Sequence, residues 1–410
     1  MRTLPPEAES RLPGNAGALA RLCAVRPVWR AVRTAREALG LPEGVLLHAG
    51  PPYEDPARPA APVLSSAVLA CLHEGWASSE EEAESLITTG RVRLVPAQQH
   101  GTVLPLAAVA GPGTALVEVA DADGNGVAWS LLGSGAGPQI RFGSRDPAIL
   151  ARLRWRDTVL APRLHALVSR QPVGLLALAH AGIQGGDDLH ASTSAAQQAL
   201  LARLGPGLGE QQGDADILAM LGGTPLFFLT LWMAATHLML DTAAAQGRDP
   251  DSTLVVAMAG NGREVGIRLA GEPARWFTQS APPPVGPRLD LSVTAPAGPM
   301  VGDSGVIDAA GFGAQALSCA PQLRDALQAF LPDDWRERPA RLSSTRHPVF
   351  ADLDLRLGAD ARAGVAPLAA IAMVAADGRA GLLGRGIVSL DAALFAQAAQ
   401  ALAQAGKGRA

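Results

Sequence analysis

The sequence predicts an α+β protein in which two α/β-type domains with mixed sheets flank a central helical subdomain. Three observations predict it. The chain has 410 residues, 48% of them apolar, more than one core absorbs when single cores rarely grow past about 250–300 residues. Period-two apolar runs bracketed by turn residues occur towards both ends, while the stretch between them reads as helix. Asp123-Gly124-Asn125-Gly126 and Asn261-Gly262 put a hairpin turn signal in each flank. The expected boundaries are 1–146 for the N-terminal α+β domain, 147–250 for the helical subdomain and 251–410 for the C-terminal α+β domain.

The first ten residues are polar and Pro-rich and are expected to fray. Residues 28–39 read as an amphipathic helix, Val45-Leu46-Leu47-His48 as a short buried strand, and Gly50-Pro51-Pro52 as the turn that stops it. A helix follows over 65–76. Ser78-Ser79-Glu80-Glu81-Glu82 sets hydroxyls and acids at the next helix start, where they satisfy free N–H groups and the dipole, and Gly90 closes that helix. Strand-like runs fill 94–142, with 114–132 folding back on the 123–126 turn. Helices are expected over 149–168, 173–182, 194–204, 214–221 and 226–246. Strands over 254–258 and 264–269 join around Asn261-Gly262, and the proline run 282–287 leaves their sheet as an extended connection. Small residues over 302–321 form a helix after a glycine turn, and 323–330 forms another. Residues 368–376 and 382–390 form a hairpin turning at Asp377-Gly378-Arg379, and the last helix runs from an Asp391 cap to about residue 404.

A formal charge of −4 with no long basic run gives no footprint for nucleic acid or an anionic membrane. Three cysteines, Cys23, Cys71 and Cys319, are odd in number and far apart, which argues against a disulfide framework or a CxxC metal site. The opening residues lack the basic-then-apolar order of a signal peptide. The most apolar run, 226–240, falls short of the roughly 20 residues that span a bilayer. A cytoplasmic location is the expectation.

The densest cluster of chemistry-bearing residues is Asn261, Arg268, Trp276 and Gly302-Asp303-Ser304. Asn261-Gly262 is a hairpin turn on its plainest reading. Arg268, on a strand among apolar neighbours, and Trp276 nearby could hold a planar carboxylate or amide, although an internal Arg–Asp pair is the alternative. Gly302-Asp303-Ser304 offers N–H groups and a hydroxyl to an anion, or else Asp303 caps the helix. Asp187-Asp188-Leu189-His190, with His180 upstream, brings carboxylates and imidazoles together; a metal is conceivable, but no zinc spacing is present and a turn with a helix cap competes. His48 and His100 are isolated. Neither a GxxxxGK[ST] loop, a dinucleotide fingerprint nor a GxSxG elbow occurs, so no cofactor is expected and nucleophilic catalysis has no support.

Gly260-Asn261-Gly262, Gly266-Ile267-Arg268, Arg275-Trp276-Phe277 and Gly302-Asp303-Ser304 resemble the YlbE/AllG-like bacterial family. The resemblance extends in order through Leu47-His48-Ala49-Gly50-Pro51-Pro52, Glu74-Gly75-Trp76-Ala77, Arg141-Phe142-Gly143, Gly186-Asp187-Asp188-Leu189-His190, Phe227-Phe228-Leu229 and Gly311-Phe312-Gly313, and so over nearly the whole chain. It implies a subunit of an oxamate carbamoyltransferase in allantoin breakdown, working with an FdrA-like subunit and a third protein on a small anionic substrate. It also implies Asn261, Arg268, Trp276, Asp303, Ser304, His48, Asp187 and His190 as substrate-binding residues. Homo-oligomerisation stays open. The sequence departs from the family at polar positions: Ala97-Gln98-Gln99-His100-Gly101 stands where a Cys-His segment is usual, Ser192-Thr193 where an Arg-Asn pair is, and Ala370-Ile371-Ala372 where an Asn-Thr-Gly run is. A non-catalytic subunit with an eroded site is therefore one alternative. A metal-dependent hydrolase or sensor using His180, Asp187 and His190 is the other.

Overall fold

A computed structural model of the chain describes residues 14–133, 135–209, 211–343 and 345–407; the stretch expected to fray lies outside them. The fold is α+β. Its first eight strands are β1 (Pro27–Thr34), β2 (Val45–His48), β3 (Arg93–Pro96), β4 (Thr102–Val103), β5 (Val109–Ala110), β6 (Ala115–Asp121), β7 (Val127–Leu131) and β8 (Val173–Gly174). They form a five-stranded sheet in the order β4-β7-β6-β1-β8 and a three-stranded sheet in the order β3-β2-β5. Both are mixed, since β4 runs parallel to β7 and β2 parallel to β3 while the other pairs are antiparallel.

β1 corrects the helix expected over 28–39. Only Ala35–Leu39 is helical, opened by a Thr34–Glu37 capping box. The misleading signal has a physical source. A register shift between Trp29 and Ala31 breaks the period-two alternation, so Trp29 and Val32 are both buried three residues apart, as on a helix. The same shift brings Arg30 and Arg33 to one carboxylate, Glu118 of β6. The β6–β7 hairpin turns at 122–126 as expected, with the Asp121 carboxylate accepting from Asn125.

The second large sheet, β11-β10-β9-β12, is antiparallel throughout and comprises β9 (Val255–Asn261), β10 (Glu264–Leu269), β11 (Glu272–Ser280) and β12 (Val301–Gly302). β11 is a half-exposed outer strand whose polar, aromatic sequence shows little alternation. The 368–390 hairpin forms in two short ladders, 368–370 with 387–389 and 373–374 with 382–384. The region 302–321 is a short helix, Gly305–Ala310, followed by a 3-10 segment, Gly313–Cys319.

Helix Phe227–Ala244 is apolar on all sides, which a helix can be only when it is enclosed. It packs against β6, β7 and β9 and against helices Ala16–Ala24 and Gly305–Ala310, so it lies in the core that the two large sheets share. By length and composition alone the segment Phe227–Gly247 could cross a membrane, but 89% of its apolar window is buried in this protein. Phe227, Phe228 and Trp232 are completely enclosed, each burial stabilising by about 1.5–3 kcal/mol.

Candidate functional site

Arg268 leaves β10 towards Gln98, donating to its Oε1 at 2.6 Å and to the Pro273 carbonyl at 2.8 Å, with the Trp276 ring 5.0 Å from the guanidinium carbon. Gln98 Nε2 donates in turn to Asp303 Oδ1 at 2.7 Å. Asp303 also accepts from the backbone N–H groups of Gly50 (3.0 Å) and Leu104 (2.8 Å), which ties β12 to the turn after β2 and to the segment after β4. Burial pushes the Asp303 carboxyl up to about 6, against those three N–H donors and the Arg268 charge that hold it down. Three protein N–H groups thus hold the Asp303 carboxylate, two on Oδ1 and one on Oδ2. The helix that follows has Ser304 as its N-cap residue and no side-chain cap bond.

Asn261 serves the turn. Its Oδ1 accepts from Arg263 N (2.9 Å) and Glu264 N (2.8 Å), its Nδ2 donates to the Pro51 carbonyl (3.0 Å), and its own carbonyl accepts from Tyr53 Oη. Gly262 adopts φ +84° in that turn, where a side chain is strained. His48 is fully buried against the Tyr53 ring, at 4.6 Å between centroids, and burial lowers it to about 4.

The 187–193 loop is organised by its two aspartates. Asp187 accepts from Ser192 Oγ and from the N–H groups of Ser194, Ala195 and Ala196, so it caps helix Ser194–Leu204. Asp188 accepts from the N–H groups of His190, Ala191 and Ser192, and burial pushes it up to about 6. Between them Leu189 is held at φ +67°, an unfavourable region for a non-glycine residue that only a well-determined loop sustains. The result aims His190 at Asp308: Nδ1 lies 2.6 Å from Oδ2, while Asp308 Oδ1 accepts from Ala314 N (2.8 Å) and Ala370 N (3.1 Å). Burial would lower the imidazole pKa, but Asp308 and then Asp188 outweigh it and raise it above its ordinary value. With Nδ1–H committed to the carboxylate, Nε2 is the nitrogen left for a ligand.

His190 lines a partly open chamber of about 190 Å³ together with Arg141, Ser304, Leu106, Leu229 and Ile371. Leu106 also has positive φ, at 49°. The chamber adjoins an open groove of about 1130 Å³, lined by Arg145, Arg379 and Arg385 among others, and Arg141, Phe142 and Arg385 border both spaces. Arg141 is 7% exposed, and among the described residues it makes no ion pair and its Nε has no hydrogen-bond partner. Burial brings the guanidinium down to about 10, which keeps it charged at neutral pH. A buried, charged and unpaired arginine is costly unless a ligand supplies the anion.

Of the residues singled out in the sequence, the fold brings His190 and Ser304 to the chamber. Arg268, Trp276 and Asp303 belong to the Gln98 relay, Asn261 and His48 to the packing around Tyr53, and Asp187 to a helix cap. His180 pairs with Asp352 at 2.8 Å, so His180, Asp187 and His190 turn to three different partners, and no group of three metal-ligand side chains stands together among the described residues. Arg141, Asp308 and Arg385 were not singled out. Arg141 carried the one available signal, as part of the Arg141-Phe142-Gly143 match; Asp308 is brought to His190 from 118 residues away by the fold.

Fold and site define an α+β protein with an arginine-lined cleft that leads to a buried His–Asp pair. The family described as "Oxamate carbamoyltransferase subunit AllG" matches residues 92–304, more than half of the chain, and the chain belongs to that family. It is 29% identical to the oxamate carbamoyltransferase subunit AllG of Escherichia coli (strain K12), with 95% of this chain and 97% of that protein aligned. It is 26% identical to the uncharacterized protein YahG of the same organism, over 96% of this chain and 86% of that one. A crystal structure of a conserved protein of unknown function from Enterococcus faecalis V583 shares the fold, with a TM-score of 0.87 and 24% identity over 98% of this chain and 99% of that one.

Proposed function

We propose that this chain is a subunit of an oxamate carbamoyltransferase-like complex that moves a carbamoyl group between the nitrogen of a small carboxylic acid, of which oxamate is the example the family offers, and phosphate. The observation behind this reading is Arg141, a buried guanidinium without an ion-pair partner among the described residues, on the boundary between the chamber of His190 and the groove of Arg379 and Arg385. The carboxylate of the acid pairs with Arg141 and the phosphate lies among the groove arginines. In the direction of transfer to oxamate, the amide nitrogen attacks the carbamoyl carbon of carbamoyl phosphate and forms the new C–N bond. The C–O bond to phosphate breaks, phosphate leaves with the electron pair, and the proton lost by nitrogen passes to His190 Nε2. Oxalurate and phosphate result. In the reverse direction His190 returns that proton to the departing amide. Asp308 steadies the imidazolium in both directions, and the arginines stabilise charge on the phosphate.

Because the Escherichia coli relative is a carbamoyltransferase subunit, we further propose that the chain works in a multisubunit complex, with an FdrA-like subunit and a third protein, in the cytoplasm and in purine or allantoin nitrogen breakdown. The experiment is a calorimetric titration of the purified chain with oxamate, oxalurate, carbamoyl phosphate and phosphate, repeated on the complex co-purified from co-expressed neighbouring genes, with carbamoyl transfer assayed in the complex. Saturable binding and transfer by the complex are expected. No binding in either preparation would leave the chain as a non-catalytic subunit and overturn the proposal.

A further inference from the structure

We infer that the acid accepted by the inner chamber carries a compact aliphatic side chain, so that its preferred ligands are N-carbamoyl amino acids of the valine or leucine kind rather than oxamate or oxalurate. This rests on the reading of the cleft given above and names its substrate class.

Eleven of the sixteen residues around the chamber have apolar side chains, against Arg141, His190, Ser304 and Arg385 as the polar ones. Oxamate is polar on every side and would leave hydrogen-bonding atoms facing Leu106, Leu229 and Ile371. Part of the backbone is already committed. The N–H groups of Ala191, Ala370 and Ile371 are already spent on Asp188 (3.2 Å), Asp308 (3.1 Å) and the Gly386 carbonyl (3.0 Å). A ligand polar group left unpaired in such a place costs binding free energy.

Size points the same way. At about 190 Å³ the chamber far exceeds the 10–15 Å³ that one water needs on the same measure, so a molecule as small as oxamate leaves much of it unfilled. A ureido acid with a branched side chain meets all three features at once. Its carboxylate pairs with Arg141, its ureido group reaches His190 Nε2 and the Ser304 hydroxyl, and its aliphatic body covers Leu106, Leu229 and Ile371. Leu289, 70% exposed and lining both chamber and groove, gains an apolar neighbour at the mouth. Carbamoyl transfer keeps its balance with this class: the ureido C–N bond breaks, a C–O bond to phosphate forms, and the amino acid leaves with the proton that His190 donates.

The test is a calorimetric series on the full chain with oxamate, oxalurate, N-carbamoylglycine, N-carbamoylvaline and N-carbamoylleucine. Each added methylene is expected to tighten binding about threefold to fourfold, with oxamate and N-carbamoylglycine the weakest. The substitution Ile371→Thr is expected to narrow the ratio between the leucine and glycine ligands. Equal affinities across the series, all weakened by Arg141→Gln, would overturn the side-chain inference and leave the anion site standing. Oxamate or oxalurate binding more tightly than the leucine ligand would overturn it as well. Absence of binding by every acid would overturn both.

Discussion

Arg268 is joined to Asp303 through the Gln98 carboxamide, which accepts from the guanidinium at 2.6 Å and donates to the carboxylate at 2.7 Å. The two charges come from β10 and from the end of β12, and the amide between them comes from the 3-10 turn 97–100. Replacing Gln98 by leucine leaves both charged groups short of a partner in a buried setting. The expected cost is about 2–4 kcal/mol, read as a lower denaturation midpoint in urea with the slope unchanged. Anion binding at Arg141 is expected to persist, because Gln98 is not among the residues lining the chamber.

Asp303 also shapes the pH dependence of stability. Its folded pKa of about 6 lies above the unfolded value of about 3.9, so its contribution is full below pH 4 and fades as pH rises through 6. His48 and His237, both lowered to about 4 by burial, act in the opposite sense: their contribution is present above about pH 6.5 and lost as pH falls through 4. Over pH 4–6 the two effects offset one another. Asp303→Asn removes the acid-favouring part, so its stability is expected to fall more steeply on acidification than that of the parent chain, measured by thermal unfolding between pH 7 and 4. Parallel curves would contradict this.

The His190–Asp308 pair makes a kinetic prediction. A base whose pKa is raised above the ordinary histidine value gives a rate in the direction of transfer to oxamate that climbs with pH through an acid limb above about 6.5. Asp308→Asn removes the charge that raises it. The limb is expected to move to lower pH and the plateau to drop about 10²–10⁴-fold as the imidazole loses its orientation. A limb that stays in place would separate Asp308 from the titrating group.

Much of the fold could be read directly, and the reasons are local. Asp123-Gly124-Asn125-Gly126 turns the β6–β7 hairpin and Asn261-Gly262 the β9–β10 hairpin, because few other residues suit those backbone conformations. Helix Phe227–Ala244 is legible because apolar residues occupy every face, and Ser79 caps its helix as the Ser-Ser-Glu run suggests. β1 was not, since its bulge imitates helical spacing. The cleft was the least legible part. Ser304 and Asp303 are neighbours, yet one lines the chamber and the other closes an internal network, a distinction set by packing across chain segments about 200 residues apart. His190 was visible as a type and Asp308 was not, because an aspartate inside a run of small residues gives no sign of what it faces.

Asp187 offers a test of structural against ligand-binding roles. Its carboxylate takes three N–H groups at the start of helix Ser194–Leu204. Asp187→Ala is expected to lower stability by about 1–2 kcal/mol. Zinc, manganese or magnesium is expected to raise the melting temperature of neither the parent nor the variant; a rise in the parent that the variant loses would restore a metal-binding role for this loop.

The central claim is that Arg141 is the anchor for a ligand anion. It is tested most directly by calorimetric titration of oxalurate, whose carboxylate is the anion assigned to Arg141, into the parent chain and into Arg141→Gln, with circular dichroism confirming equal folding. Loss of a charge-assisted hydrogen bond worth about 1.5–3 kcal/mol weakens binding roughly tenfold or more, so saturable binding in the parent and at least that loss in the variant are expected. Equal affinities in the two proteins, or no binding in the parent, would contradict the claim.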